Sequence, residues 1–184
     1  MAIRERLSAE APDDPGLKSH LAQAQTYLAD LLRRAGKPHD AAQYCRQAIA
    51  IREKLRDDFP HDAGYQQRLG YEYGGLARAL VALGRTQEAE DALRRSLAVA
   101  KKLVADHSGV PPYPYDLAWS YYSLGLLLHD TNRPQEAADA FRPARQLFED
   151  AAAKFPDDPK NQRDFAWFLA TCPAPQFRDG ARAP

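Results

Sequence analysis

The sequence repeats itself every 48 residues, and this period constrains the fold more than any other feature. Gly36-Lys37-Pro38-His39-Asp40-Ala41 aligns with Gly84-Arg85-Thr86-Gln87-Glu88-Ala89, and again with Asn132-Arg133-Pro134-Gln135-Glu136-Ala137. At the same offset Leu21, Leu69 and Leu117 coincide and are followed by Phe165. Leu28, Leu76 and Leu124 also share a column, as do Leu32, Leu80 and Leu128, and Arg46, Arg94 and Arg142. Breaks recur at Pro12-Asp13-Asp14-Pro15, Pro60-His61-Asp62, His107-Ser108-Gly109 and Pro156-Asp157-Asp158-Pro159. A period of this size marks stacked units, each of which needs a neighbour to bury its apolar face.

Each unit reads as two amphipathic helices. In the second copy Leu69, Tyr73, Leu76, Ala77, Leu80 and Leu83 fall on one stripe of a 3.6-residue period. Gly84 then supplies a left-handed turn, a role that Asn132 takes in the third copy. The second helix carries Ala89, Leu93, Ser96, Leu97, Ala100, Leu103 and Val104 on one face and stops at the next break, where proline removes a backbone donor.

These residues resemble the tetratricopeptide (TPR) signature. Tyr121, Leu124, Gly125, Leu128, Ala137, Phe141 and Ala144 carry it best, followed by Tyr73, Leu76, Ala77, Leu80, Ala89, Leu93 and Ser96. The first copy has Gln25, Leu28, Ala29, Leu32, Ala41, Cys45 and Ala48, with Gln25 in place of the aromatic. The small positions are where two helices touch, and a larger side chain there would push them apart. The resemblance implies an all-α fold, a right-handed superhelical TPR-like α-solenoid of antiparallel helix pairs. The repeat exceeds the family's usual ~34 residues, so both helices are expected to be longer, and Pro143 is expected to kink the second helix of the third copy.

Repeat 1 is assigned to residues 17–60, repeat 2 to 61–108 and repeat 3 to 109–156. Residues 1–16 read as the end of a preceding repeat's second helix plus a break, because Ile3 and Leu7 are in phase with Ile51 and Leu55. Residues 157–184 read as a partial fourth repeat, one helix and the following loop. This organisation is similar to long, Ala-rich arrays found in bacteria C-terminal to Ser/Thr protein kinase domains, so the chain is expected to be part of a larger protein.

The 25 basic residues balance 25 acidic ones. A neutral chain argues against binding nucleic acid by phosphate neutralisation. No apolar run approaches the ~20 residues that span a bilayer, and Met1 to Glu10 has no apolar stretch of the kind a secretory signal needs. A cytoplasmic helical protein with no membrane association is expected. No Gly-x-Ser-x-Gly elbow, phosphate loop or kinase signature occurs, and Gly70, Gly74 and Gly75 lie in a helical stripe with no preceding strand. The five histidines lack the helical i, i+4 spacing of a zinc pair, and Cys45 shares its column with Leu93 and Phe141. The chain is therefore read as non-catalytic, without metal or cofactor.

In solenoids of the kind the resemblance implies, first helices line a concave groove. One helical step from the buried stripe lie Gln23, Thr26, Asp30 and Arg33, then Tyr71, Gly74 and Arg78, then Trp119, Tyr122, Leu126 and His129. Tyr71, Trp119 and Trp167 share one phase. Aromatic and arginine side chains dominate binding hot spots, so the expected partner-binding set is Gln23, Asp30, Arg33, Tyr71, Arg78, Trp119, Tyr122, His129 and Trp167. The Lys and Asn residues with which chaperone-tail-binding TPRs hold a terminal carboxylate are absent from the matching places. Arg46, Arg94 and Arg142 are expected to pair with Gln43, Asp91 and Asp139. An uncovered patch of Phe165, Trp167 and Phe168 is expected to invite dimerisation.

Overall fold

A computed structural model describes residues 14–107, 110 and 112–178. The expectation placed on Ile3 and Leu7, and the end of the final segment from Asp179, lie outside them. The described residues form seven α-helices: α1 (Pro15–Arg34), α2 (Pro38–Asp58), α3 (Ala63–Ala82), α4 (Thr86–Asp106), α5 (Pro112–Asp130), α6 (Pro134–Lys154) and α7 (Pro159–Thr171). A single 3-10 turn, Pro175–Phe177, follows. The first six helices run to 19, 20 or 21 residues, the lengthening that a 48-residue unit demands.

The helix ends repeat with the sequence. Asp14 accepts hydrogen bonds from the Gly16 and Leu17 amides at 2.7 and 3.1 Å. Asp62 accepts from Gly64 and Tyr65 at 2.8 and 3.3 Å, and Asp158 from Lys160 at 2.9 Å. Each cap satisfies an otherwise orphaned donor and stabilises its helix by about 1 kcal/mol. The turns inside the pairs pass through left-handed residues: Gly36 at φ 72°, Gly84 at 70° and Asn132 at 58°. In all three the next amide reaches back to a carbonyl in the last turn, Lys37 to Leu32 at 2.8 Å, Arg85 to Leu80 at 2.9 Å and Arg133 to Leu128 at 2.9 Å. This is the closure a left-handed cap allows.

The chain divides into two compact units, residues 1–99 and 100–184, with the boundary inside α4. In the first, α2 packs on α1 and α3. Its core is built from small residues, with Ala29, Ala41, Ala42, Cys45 and Ala79 buried together and Leu32, Leu76 and Leu83 packed around them. Burial pushes the Cys45 thiol up to about 11, so at neutral pH it behaves as an apolar filler.

The second unit packs α6 against α5 and α7, and its core is aromatic. Phe141, Phe148 and Phe168 are fully buried. Phe141 lies against Gly125 of α5, where a Cβ would stand only 2.6 Å from the ring. Helix α6 continues through Pro143, and Phe177 packs on Phe141 with ring centroids 6.1 Å apart.

Candidate functional site

The first unit exposes a face made by α1 and α3. Asp30 is held by Arg33 at 2.9 Å and Arg34 at 2.7 Å, and the hydrogen bond from Arg33 leads in holding its carboxyl below the usual range. Gln23 is half-buried, its Nε2 donating to the Tyr27 hydroxyl at 3.3 Å. Tyr71 is 51% exposed.

Arg78 is the distinctive residue of this face. Its guanidinium lies back over α3 at Gly74 and Gly75, with Nη1 and Nη2 only 3.8 and 3.9 Å from where their Cβ atoms would stand. Without side chains, those two glycines leave the helix surface bare around the charge. No described carboxylate forms an ion pair with Arg78, since Asp30 is taken up by its own two arginines. Burial, reinforced by the Arg33 charge, lowers the pKa of Arg78. The side chain is exposed by surface area, yet protein atoms crowd it from below, as in a groove. A cavity of about 30 Å³ opens beside Asp30, Arg33 and Arg78.

Thr26 turns inward instead, toward a feature that sequence reasoning missed. Its hydroxyl lies 2.6 Å from both carboxylate oxygens of Glu72. Glu72 and Arg52 are 3% and 1% exposed, with Arg52 Nε 3.8 Å from Glu72 Oε1. Arg52 donates to the Ser19 hydroxyl and carbonyl at 2.7 and 3.0 Å, but its Nε has no hydrogen-bond partner. Burial pushes the Glu72 carboxyl up despite Thr26 and Arg52. This buried pair ties α1, α2 and α3 together. The available signal was the column of Glu72, filled elsewhere by Ala24, Ser120 and Phe168, whereas the column of Arg52 holds Arg4 as well as Ala100 and Phe148.

The second unit brings together the aromatic part of the expected set, on α5 and α7. Trp119 and Trp167 have ring centroids 5.3 Å apart, and Tyr122 lies 5.2 Å from Trp167. Trp167 is 41% exposed, Trp119 half-buried and Tyr122 buried. Below them the Tyr115 hydroxyl donates to the buried Asp164 carboxylate, and Lys160 Nζ sits 3.6 Å above the Tyr115 ring. Burial, then the bond to Asp164, pushes the Tyr115 phenol up to about 12. His129 is exposed at the end of α5.

Two expectations are corrected. Phe165 and Phe168 do not form an open patch with Trp167: they are 8% and 0% exposed because α7 turns that side toward the core. Of the three recurrent arginines, only Arg142 makes its expected pair, with Asp139 at 3.2 Å. Arg94 bonds Glu90 one residue further back at 2.6 Å, and Arg46 reaches Glu88 of α4 at 3.5 Å.

Tetratricopeptide repeat models match residues 21–61 and 73–109, and a second tetratricopeptide repeat model matches 118–143. Together these segments cover more than half of the sequence. The chain belongs to the tetratricopeptide-repeat family. TPR repeats generally mediate protein–protein interactions. No curated protein matches the chain. Among solved structures it is similar to the nearly identical TPR-like repeats of a Podosopora anserina protein assigned as a kinesin light chain, at 24% identity and a TM-score of 0.40. That match covers 89% of this chain and 90% of the other. No described helix of this TPR protein is long and apolar enough to cross a membrane, and no described group of His, Cys, Asp and Glu could hold a metal ion.

Proposed function

We propose that this TPR protein binds an extended segment of a partner protein on the α1–α3 face of its first unit, with Arg78 receiving a carboxylate of that segment. The observation that carries this reading is the guanidinium of Arg78, without a carboxylate partner and set over the side-chain-free surface of Gly74 and Gly75. A backbone can approach closely there. A charge-assisted hydrogen bond contributes about 1.5–3 kcal/mol, enough to anchor a weakly held peptide. Tyr71 on the same face offers apolar area for a neighbouring side chain of that segment.

A peptide array spanning acidic, neutral and basic sequences tests the proposal. Acidic peptides should bind the wild-type chain, and Arg78→Ala should weaken them tenfold or more while helical content and melting stay unchanged. Equal affinity of the wild type and Arg78→Ala for every bound peptide would refute it. We further propose that the scaffold serves as a regulatory or spacer region of a cytoplasmic bacterial signalling protein such as a Ser/Thr kinase, a reading supported by the resemblance of its long Ala-rich repeats to such arrays. Sequencing the gene upstream of Met1 decides this: a kinase domain in frame supports it, and a start site directly before Met1 rejects it.

A further inference from the structure

In the first unit the groove beside α3 is closed by α4. Ser96 donates to the Gly70 carbonyl at 2.9 Å, Val99 lies 3.4 Å from the Cβ position of Gly70, and Arg95 sits 5.8 Å from the Tyr73 ring. Two periods later, at an offset of 96 residues, Leu69, Gly70 and Tyr73 become Phe165, Ala166 and Leu169 on α7. There a cavity of about 490 Å³ stands open between α6 and α7, lined by those three residues with Glu149, Ala152 and Gln162. No described helix covers it. The described part of the segment after α7, to Arg178, lies elsewhere, with Phe177 on Phe141 and Arg178 donating to the Cys172 carbonyl at 2.6 Å. These described contacts are at the other end of α7 from Pro159.

The sequence contains a segment in register for this groove. Ala2-Ile3-Arg4-Glu5-Arg6-Leu7 repeats Ala50-Ile51-Arg52-Glu53-Lys54-Leu55 of α2, with Arg6 for Lys54 as the one change. In the 48-residue register Ile3 also occupies the column of Val99, and Leu7 that of the buried Leu103. Residues 2–10 therefore correspond to the second half of a second helix, 98–106 in α4. In an antiparallel pair that half lies against the first half of its neighbour, and the whole of α7, 159–171, matches 63–75, the first part of α3. Ala152 and Ala166 leave room for close helix approach.

We propose that a second copy of this chain docks residues 2–10 into the α6–α7 groove, with Ile3 against Ala166, so that copies associate head to tail. Such a contact is heterologous: the surface that docks differs from the surface that receives, so a docked pair still carries one free segment and one free groove and can add further copies. The interaction is separate from peptide binding on α1 and α3, and its failure leaves that reading untouched.

The full 184-residue chain is tested by sedimentation across a concentration series. The wild type should form a concentration-dependent ladder of dimers and longer species, and Arg78→Ala should behave the same. Leu7→Asp removes the docking segment and Ala166→Arg fills the groove, so each alone should stay monomeric with unchanged helical content. Mixed together, they should recover a one-to-one dimer, because one variant keeps the groove and the other the segment. A wild type that stays monomeric at every concentration overturns the proposal, whether the groove is closed within the chain or reserved for another protein. A wild type that associates while the mixed variants stay monomeric, or one whose association is lost in Trp167→Ala, places the interface elsewhere and also overturns it.

Discussion

Two glycines, both inside first helices, respond oppositely to the same substitution. A Cβ on Gly125 would stand 2.6, 2.7 and 3.0 Å from three ring carbons of Phe141, whereas carbons rest at about 3.5–4.0 Å. The ring would have to retreat by about 1 Å, yet Phe141 is fully buried and braced by Tyr122 and Phe177, with centroids 5.8 and 6.1 Å away. Overpacking of this kind costs about 1–3 kcal/mol, against a gain of about 1 kcal/mol from replacing a helical glycine by alanine. Gly125→Ala should therefore destabilise the second unit, by up to about 2 kcal/mol. At Gly75 the nearest atom is Cys45 Sγ at 3.5 Å, an ordinary contact. Gly75→Ala should stabilise the first unit by about 0.5–1 kcal/mol. Urea unfolding separates the two, because both tryptophans lie in the second unit, so their fluorescence follows Gly125→Ala while circular dichroism follows Gly75→Ala. Phe141→Leu in the Gly125→Ala background should restore part of the loss, giving a coupling energy of about 1 kcal/mol. A Gly125→Ala variant as stable as the wild type, or no coupling to residue 141, refutes close approach as the reason for glycine.

Arg52→Ala should destabilise the first unit by about 3–5 kcal/mol by stranding the Glu72 charge, and Arg52→Met with Glu72→Leu should recover most of it, read as the shift in urea midpoint. Because burial raises the Glu72 carboxyl above 4.5, the folded state holds that proton longer than the unfolded one. Its stabilising effect is complete below pH about 4.5 and is lost as the pH rises through the folded value, so stability measured upward from that pH should fall more steeply in wild type than in Glu72→Gln. Asn132→Ala should cost about 1 kcal/mol because its φ of 58° disfavours a side chain without a local hydrogen bond, whereas Asn132→Gly should cost nothing on thermal melting.

The periodicity made the fold legible because stacking repeats a local arrangement. The left-handed turns at Gly36, Gly84 and Asn132 and the small residue at Gly125 were readable, since their residue types report backbone conformation and helix separation directly. The candidate faces were legible in phase only. Phase located Tyr71, Arg78 and Trp167 on exposed surface but could not tell that Thr26 would turn to Glu72, or that Tyr122 would sink into the core while Trp167 stayed open. Those outcomes depend on which neighbour fills each gap, a tertiary matter. The Arg52–Glu72 pair was overlooked because charged residues in a helix read as solvated face, and only the departure of Glu72 from its repeat column marks it out.

One long-range side-chain hydrogen bond in each unit, Thr26 to Glu72 and Tyr115 to Asp164, spans 46 and 49 residues respectively. Both separations are about one period. These closures therefore join residues about one repeat apart within each unit, and the entropic penalty of a closure rises only logarithmically with separation. Low contact order of this kind favours rapid folding from any one helical hairpin outward. It also sets the unit in which such a chain can lengthen or shorten: a deletion of 48 residues keeps the remaining helices in the register of the repeat, while one of a few residues within a helix shifts that helix out of it.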